Sequence, residues 1–347
     1  MMDSTDILLE IKDLHKHFPI SDGLFGRKRS VVRAVDGISL TVGNDEILGL
    51  VGESGCGKST AARVILRLIE PTRGSVLLRS RKLAPVGTDH IVVDVAGAGR
   101  AVLKSLRQEL QIVYQDPYSY MNPRLNVGSI IAEPLKIHRV GTPRDIEARV
   151  VALLEAVGLN RGQYNRYPHS FSGGQRQRIA IARALALKPS LIIADEPVSS
   201  LDVSIRAQIL RLLEDLQDQF SLAYIFISHD LSVVKHLCHR VVVMYLGRIV
   251  EIAKTPDLFL HPLHPYTEAL ISAIPIPEPE YRGTEIVLKG DVPSPAKPPA
   301  GCAFHTRCMY ARDDCLQESP SLLGAESGRL VACHYSKSLD LRGVATG

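Results

Sequence analysis

The segment over residues 52–60 reads G-E-S-G-C-G-K-S-T. It matches the phosphate-binding pattern G-x-x-x-x-G-K-[ST], in which glycines let successive backbone N–H groups point at phosphate oxygens. The apolar run Ile47–Val51 before it predicts a buried strand, and Thr60–Ile69 after it predicts a helix whose N-terminus faces the anion. A strand, a glycine loop and a helix in this order constrain the fold to an α/β nucleotide-binding core.

This phosphate loop supplies most of the predicted nucleotide contacts. Lys58 is expected to reach the β- and γ-phosphates, and the Ser59 hydroxyl is expected to hold Mg²⁺. The predicted ATP-binding residues of the loop are Gly52, Ser54, Gly55, Cys56, Gly57, Lys58, Ser59 and Thr60. The predicted ligands are therefore a nucleoside triphosphate and Mg²⁺.

An acidic pair is the second signal, because it follows the apolar run Leu191–Ala194, which predicts a buried strand. Asp195 is the expected Mg²⁺ ligand, and Glu196 is placed to polarise the attacking water as a general base. Acidic pairs at strand ends are common without a catalytic role, but the presence of a phosphate loop favours one here. We therefore predict that the chain hydrolyses its nucleotide at Glu196.

Two weaker signals accompany these motifs. Ser172 and the two glycines after it precede a predicted helix, so that helix can bind a phosphate held by another molecule through its N-terminus. A simply capped surface helix would have the same sequence. His229 follows the predicted strand Ala223–Ile227 and can hydrogen-bond a γ-phosphate, although a histidine at a strand end is usually structural. By themselves these two signals leave both interpretations open.

Length and charge narrow the class of protein. With 347 residues, the chain has room for one large domain and a smaller one. The net charge of +4, with both signs interspersed, gives no reason to expect a nucleic acid partner. No apolar run approaches the ~20 residues that span a bilayer, and the N-terminus lacks a signal-peptide pattern. The chain is therefore expected in the cytoplasm unless a partner holds it at a membrane.

The order of the predicted elements indicates an α/β fold. Alternating residues over 8–18 and 34–42 predict antiparallel strands, and helical spacing dominates from about 116 to 190. Apolar strands then alternate with helices, which predicts a parallel sheet. Prolines and cysteines accumulate beyond residue 255. We therefore expect a nucleotide-binding domain over 1–254 and a separate C-terminal module over 255–347.

Six motifs between residues 8 and 252 together resemble the ATP-binding subunit of an ABC transporter. They are the phosphate loop, Q-D-P at 115–117, F-S-G-G-Q-R-Q-R at 171–178, L-I-I-A-D-E-P at 191–197, S-S-L-D at 199–202 and S-H-D at 228–230. The resemblance implies a phosphate-loop NTPase core with an antiparallel β subdomain and a helical subdomain. It also implies that two such domains pair head to tail around two ATP molecules.

The resemblance assigns roles to further residues. The residues implied to contact the ATP of the partner subunit are Ser172, Gly173, Gly174 and Gln175. The implied Mg²⁺ ligands are Ser59, Gln115 and Asp195. Gln115 would also connect to the membrane subunit, and His229 would act catalytically as a switch at the γ-phosphate. Asp202 would bridge the dimer. Phe18 would stack on adenine, where the family usually has Tyr, with a plain core role as the alternative.

The segment H-P-L-H-P-Y-T at 261–267 and the cysteine-containing tail resemble the C-terminal extension of dipeptide/oligopeptide importer ATPases, and the S-G-G-Q-R-Q-R wording resembles their F-type subunit. This implies import energised by ATP hydrolysis, a paralogous ATPase partner in a heterodimer, and two membrane permeases. A binding protein outside the cytoplasm would deliver the peptide. The chain would be peripheral, at the cytoplasmic face of the inner membrane. A longer stretch than expected, over 80–107, receives no role.

Alternatives remain for the transported solute and the process. Substrate contacts lie in other subunits, so glutathione or a nickel chelate could replace the peptide. A soluble ABC-type ATPase without a transporter is a further alternative, but the second ATPase domain or long coiled-coil insert that such proteins generally carry is missing from this sequence. The phosphate loop and the acidic pair are compatible with each of these functions.

The tail contains four cysteines, Cys302, Cys308, Cys315 and Cys333, and such clustering in a cytosolic chain favours a metal site over disulfides. Zinc sites usually include a tight C-x₂₋₄-C pair, which this tail lacks, and four thiolates can also hold an iron–sulfur cluster. Spacing alone leaves a cluster, zinc and no metal open. The resemblance to importer ATPases implies a [4Fe–4S] cluster in a small C-terminal cysteine-containing domain.

Overall fold

A computed structural model describes residues 6–22, 28–275 and 286–344. The strands in this part of the chain are β1 (Ile7–Asp22), β2 (Lys28–Gly43), β3 (Ile47–Val51), β4 (Arg73–Ser80), β5 (Ile91–Asp94), β6 (Leu110–Val113), β7 (Leu191–Asp195), β8 (Ala223–Ser228), β9 (Arg240–Tyr245), β10 (Arg248–Lys254), β11 (Leu323–Gly324) and β12 (Leu330–Val331). The α-helices are α1 (Lys58–Ile65), α2 (Arg100–Leu106), α3 (Pro117–Tyr120), α4 (Val127–Ile137), α5 (Pro143–Ala156), α6 (Gly173–Leu185), α7 (Val203–Phe220), α8 (Leu231–Leu237), α9 (Thr255–Leu260), α10 (Pro265–Ser272) and α11 (Asp313–Gln317).

A four-stranded antiparallel sheet has the order β2-β1-β4-β5. Its first two strands confirm the antiparallel pair expected from the alternating pattern, and they extend further than predicted, with Pro19 opposite Val31. Alternate side chains such as Leu9 and Ile11 are buried, as expected when one face of a sheet lies against a core. The longer stretch over 80–107 contributes the edge strand β5, which pairs with β4.

The central sheet has the order β11-β12-β10-β9-β3-β8-β7-β6. Strands β6, β7, β8, β3 and β9 are parallel, which confirms the predicted α/β core. Every residue of β3, β7 and β8 is buried, because helices α4 to α8 pack on one face of the sheet and α1 with the four-stranded sheet packs on the other. The carboxyl ends of these three neighbouring strands therefore open at one edge, where ligands bind in open α/β sheets.

Helices α3 to α6 form a layer of their own after β6. Capping side chains set where these helices begin: Asn126 accepts from the Ser129 N–H before α4, and Thr142 forms a capping box with Asp145 before α5. Apolar residues of α4, α5 and α6, such as Ile131, Leu154 and Ile181, are buried in one cluster with the central sheet. This packing fixes the direction of α6 and hence of its N-terminus.

The C-terminal segment adds two short strands to the central sheet. Strand β12 pairs with β10, and β11 pairs with β12. Tyr266 and Phe304 of this segment are buried against Tyr245 of β9, with ring centroids 4.7 and 5.3 Å away. The burial of these rings packs the tail against the nucleotide core. Within the described residues, no helix combines the length and apolarity needed to cross a membrane.

Candidate active site

The phosphate loop joins β3 to α1, and two of its glycines are sterically required. Gly52 has φ = 147° and Gly57 has φ = 109°, in the left-handed half of the map that side chains rarely adopt. A Cβ on Gly52 would overlap the carbonyl oxygen of Met244, and one on Gly57 would overlap that of Ala34. The backbone carbonyls of Met244 and Ala34 therefore lie so close to the loop that only glycine fits at positions 52 and 57.

Lys58, the first residue of α1, folds back over the loop. Its Nζ donates to the carbonyl oxygens of Gly52 at 2.7 Å and Glu53 at 2.9 Å, and only 5% of the residue is exposed. An ammonium held inside the curve of a glycine loop is placed to meet phosphate oxygens, which can replace these carbonyls as acceptors.

Ser59 and Asp195 come together from separate strand ends. The Ser59 hydroxyl donates to Asp195 Oδ1 at 3.0 Å. Burial raises the pKa of Asp195, while the Ser59 hydrogen bond and the Lys58 charge act in the opposite direction. A hydroxyl and a carboxylate are the oxygen ligands that Mg²⁺ prefers, so this pair fits the expected metal. Gln115, the third predicted ligand, has its described hydrogen bonds elsewhere.

The three predicted catalytic residues meet at the carboxylate of Glu196. Gln115 Nε2 donates to Glu196 Oε2 at 3.1 Å, and His229 Nδ1 lies 3.2 Å from the same oxygen. Glu196 itself has φ = 50°, a value uncommon for a residue with a side chain, and its N–H donates to the Ile227 carbonyl at 3.0 Å. The backbone of Glu196 is thus tied to β8, directly after Asp195 at the end of β7.

Ser199 is a member of this site to which sequence analysis gave no role. Its hydroxyl donates to the Glu196 carbonyl at 3.1 Å and accepts from Gln115 Nε2 at 3.1 Å. The motif S-S-L-D contains Ser199, but a serine after an acidic pair carries no recognisable signal of its own. Ser199 therefore links the Gln115 amide to the Glu196 backbone through two hydrogen bonds.

The S-G-G-Q segment lies at the N-terminus of α6. Ser172 and Gln175 form a capping box, in which Gln175 Oε1 accepts from the Ser172 N–H at 3.1 Å. Gly174 packs against Ile205, where a Cβ would overlap the side chain. Among the described residues, neither Ser172 nor Gln175 hydrogen-bonds to the phosphate loop of the same chain. Ser172 and Gly173 are exposed, so they are free to meet another molecule.

Asp202 and Phe18 also retain accessible surface. Asp202 is exposed at the N-cap of α7 and accepts no capping hydrogen bond there. Phe18 lies in β1 opposite Val32, is half-buried, and has Lys16 Nζ 5.0 Å from its ring centroid. It is not among the buried residues of the described core, so a plain core role does not describe it.

Comparison with known proteins agrees with this geometry. Residues 35–199 match the ABC transporter family model, and residues 250–315 match the model of the oligopeptide/dipeptide transporter C-terminal region. A probable peptide ABC transporter ATP-binding protein, y4tS of Sinorhizobium fredii, is 53% identical, covering 95% of this chain and 90% of that protein. The oligopeptide transport ATP-binding protein AppF of Bacillus subtilis is 49% identical, covering 95% and 97%. The chain belongs to the ABC transporter ATP-binding family.

Solved structures support the same assignment. A dimeric, post-hydrolysis structure of the ATP-binding cassette MJ0796 with ADP and Pi has a TM-score of 0.60 and 25% identity, covering 72% of this chain and 99% of that one. The match confirms the ABC ATPase fold, and the family confirms that this chain is an ATP-binding ATPase.

The four tail cysteines of this ABC ATPase line one small cavity of about 20 Å³. Each is a free thiol. Among the described residues, no three of their sulfur atoms lie within 4.8 Å of one another. His305 and His334 also line the cavity. A ring nitrogen of His305 is hydrogen-bonded to the Cys302 carbonyl, and one of His334 to the Glu318 carbonyl. The structure therefore places the four predicted cysteines around one cavity, with no three of their sulfur atoms in mutual contact.

Two contacts between the tail and the phosphate loop escaped sequence analysis. Arg307 forms a two-pronged ion pair with Glu53, at 2.6 and 3.0 Å, and the Tyr266 hydroxyl accepts from the Glu53 N–H at 2.8 Å. Glu53 occupies an unspecified position of the loop pattern, so nothing in the motif marks it. The sequence marks the H-P-L-H-P-Y-T segment containing Tyr266 only through its family resemblance.

Proposed function

We propose that this ABC ATPase hydrolyses ATP to energise the import of dipeptides or oligopeptides. The observation that carries the proposal is the joint match of the ATPase core and of the oligopeptide/dipeptide C-terminal region in one chain. Relatives that share 95% of the chain are named as peptide and oligopeptide transport ATP-binding proteins. In this chain the C-terminal region packs directly on the nucleotide core, so the two matched regions form one unit.

The residues present fit ATP and Mg²⁺. Lys58 and the loop N–H groups would hold the phosphates, and Ser59 with Asp195 would hold Mg²⁺, which neutralises phosphate charge when bound. Glu196 would accept the proton of the attacking water, while Gln115 and His229 orient its carboxylate from two sides. In this mechanism Gln115 would be connected to the Mg²⁺ site through its hydrogen bond to the Glu196 carboxylate.

We propose that the active form is a heterodimer with a paralogous ATPase. The S-G-G-Q segment, Ser172–Gln175, forms no hydrogen bond with the phosphate loop within the described chain. These residues therefore need a second subunit to contribute to a nucleotide site. The similar cassette MJ0796 was solved as a dimer. Asp202, exposed at the N-cap of α7, would lie at that interface. ATP would favour the closed dimer by binding it more tightly than the open one.

The remaining partners follow from the transporter role. Two integral membrane permeases would bind the helical segment about 116–190, close to Gln115, where Tyr118 is 48% exposed. The chain would then be peripheral at the cytoplasmic face of the inner membrane, and an extracytoplasmic peptide-binding protein would act indirectly. The interspersed charges give no surface reason to add nucleic acid to these partners.

We further propose that Cys302, Cys308, Cys315 and Cys333 hold a [4Fe–4S] cluster with a structural or regulatory role. Four free thiols around one cavity are a suitable ligand set. Zinc bound at ~2.3 Å to four sulfurs places them about 4 Å apart, whereas among the described residues no three of these sulfurs lie within 4.8 Å of one another. The spacing therefore favours a larger group over zinc.

Anaerobically purified chain is expected to be brown and to contain about four iron and four sulfide per chain. Iron, acid-labile sulfide and the visible spectrum are measured together. Cys308→Ser is expected to lose most of the iron, whereas Cys238→Ala, at a buried thiol outside the cavity, is expected to retain it. Colourless protein with zinc or without metal would refute the cluster and leave the ATPase assignment intact.

Peptide import is tested by replacing AppF in Bacillus subtilis with this chain. Uptake of a labelled oligopeptide is expected to recover, because the two proteins are 49% identical over nearly their whole length. Labelled glutathione and a nickel chelate are offered in parallel to distinguish the alternative solutes. Co-purification with the permeases establishes assembly.

The matched control is the same replacement with Glu196→Gln, which is expected to assemble without restoring uptake. Assembly with the permeases but uptake of glutathione or nickel in place of peptide would reassign the solute. A chain that binds ATP yet never associates with permeases would support the soluble, non-transport alternative.

A further inference from the structure

Glu53 is held by the C-terminal segment at both its backbone and its side chain. Its N–H donates to the buried Tyr266 hydroxyl at 2.8 Å, and Arg307 binds both carboxylate oxygens. Its carbonyl accepts from Lys58 Nζ at 2.9 Å and from the Cys56 N–H at 3.3 Å. Every polar group of this loop residue is therefore engaged, and two of its partners belong to the tail.

Arg307 reaches Glu53 from the loop that contains two cysteines of the cavity. It directly precedes Cys308, and its N–H donates to the Phe304 carbonyl at 3.0 Å. Phe304 packs against Tyr266 with ring centroids 5.3 Å apart. The Arg307 side chain is 7% exposed and that of Glu53 is 28%, so the pair is largely sheltered from water. A sheltered two-pronged pair fixes geometry more strongly than a surface ion pair.

The position of Glu53 matters for nucleotide binding because the loop binds phosphate with backbone groups. Glu53 follows Gly52 at the carboxyl end of β3, and Lys58 uses both of their carbonyls. A loop held in its binding shape before the ligand arrives loses less entropy on binding. We propose that Arg307 is a positioning residue for nucleotide binding, which makes nucleotide affinity depend on the packing of the cysteine loop.

This proposal is tested by a double-mutant cycle on the full chain, with MgADP titrated calorimetrically. Arg307→Ala and Glu53→Ala are each expected to raise the Kd for ADP on the order of tenfold, and the double variant no further, because both remove one interaction. Arg307→Lys is expected to fall between wild type and Arg307→Ala, since it keeps the charge but loses the two-pronged geometry.

The matched control is Arg312→Ala, an exposed arginine of the same tail that stacks on Tyr335 and is expected to leave the Kd unchanged. Thermal unfolding of each variant separates a local from a global effect. An unchanged Kd in Arg307→Ala, or losses that add fully in the double variant, would overturn the proposal.

The dependence on the cysteine loop is tested with Cys308→Ser, which rests on the proposed cofactor site. It is expected to weaken ADP binding in the wild-type background and to have no further effect in Arg307→Ala. An equal loss in both backgrounds, or no loss in either, would show that the cysteine loop does not act through Arg307. These titrations require no permease or peptide, so failed import with an intact cycle would count against the transport proposal alone.

Discussion

Glu196→Gln is expected to lower steady-state ATP turnover by about 10²- to 10⁴-fold, the usual contribution of a general base. The amide keeps the size of the side chain and a hydrogen-bonding oxygen for Gln115, but it cannot accept a proton from water. ATP binding is expected to persist, because Lys58 and Ser59 are untouched. Phosphate release from the assembled complex and calorimetric ATP binding are measured on the same preparation.

The control is Glu318→Gln, an exposed glutamate outside the helical segment, which is expected to leave turnover unchanged. A Glu196→Gln complex that hydrolyses ATP at the wild-type rate would show that another group accepts the proton. Loss of ATP binding in that variant would also contradict the assignment, because it would place Glu196 in binding instead of catalysis.

Arg329→Met is expected to destabilise the chain by about 3–5 kcal/mol, because it leaves the Glu251 carboxylate buried without its cation. Glu251 is fully buried in β10 and accepts from Arg329 Nη2 at 2.8 Å and from the Leu263 and His264 N–H groups at 2.9 and 3.0 Å. Burial lowers the pKa of His264 to about 3, so its neutral imidazole offers no replacement charge. Urea unfolding measures the loss.

Arg312→Met is the matched control, since Arg312 is exposed and is expected to change stability by less than about 1 kcal/mol. Adding Glu251→Gln to Arg329→Met is expected to recover part of the loss, because a neutral amide is less costly to bury than a carboxylate. A cost below about 1 kcal/mol for Arg329→Met would show that Glu251 reaches water or a proton instead.

Local patterns in the sequence predicted a large part of this fold. The strand before the phosphate loop has the predicted bounds, Ile47–Val51, because five apolar residues before a glycine turn allow few alternatives. The helix after it begins at Lys58, before the predicted Thr60, since its N-cap Gly57 uses a left-handed conformation that no side-chain pattern reveals. Sequence analysis assigned no strand to β6 or β10, whose apolar residues are interrupted by polar ones such as Gln111 and Glu251.

The sequence by itself determined the chemistry of the nucleotide site, because a phosphate loop is a local backbone geometry set by its glycines and the lysine that follows. Only the tertiary structure decided how Gln115 meets Glu196, 81 residues away, and how Arg307 reaches Glu53 across 254 residues. Those contacts depend on the order of parallel strands and on the tail burying Tyr266 and Phe304 against the core. Such long-range packing leaves no periodic trace in the sequence around either partner.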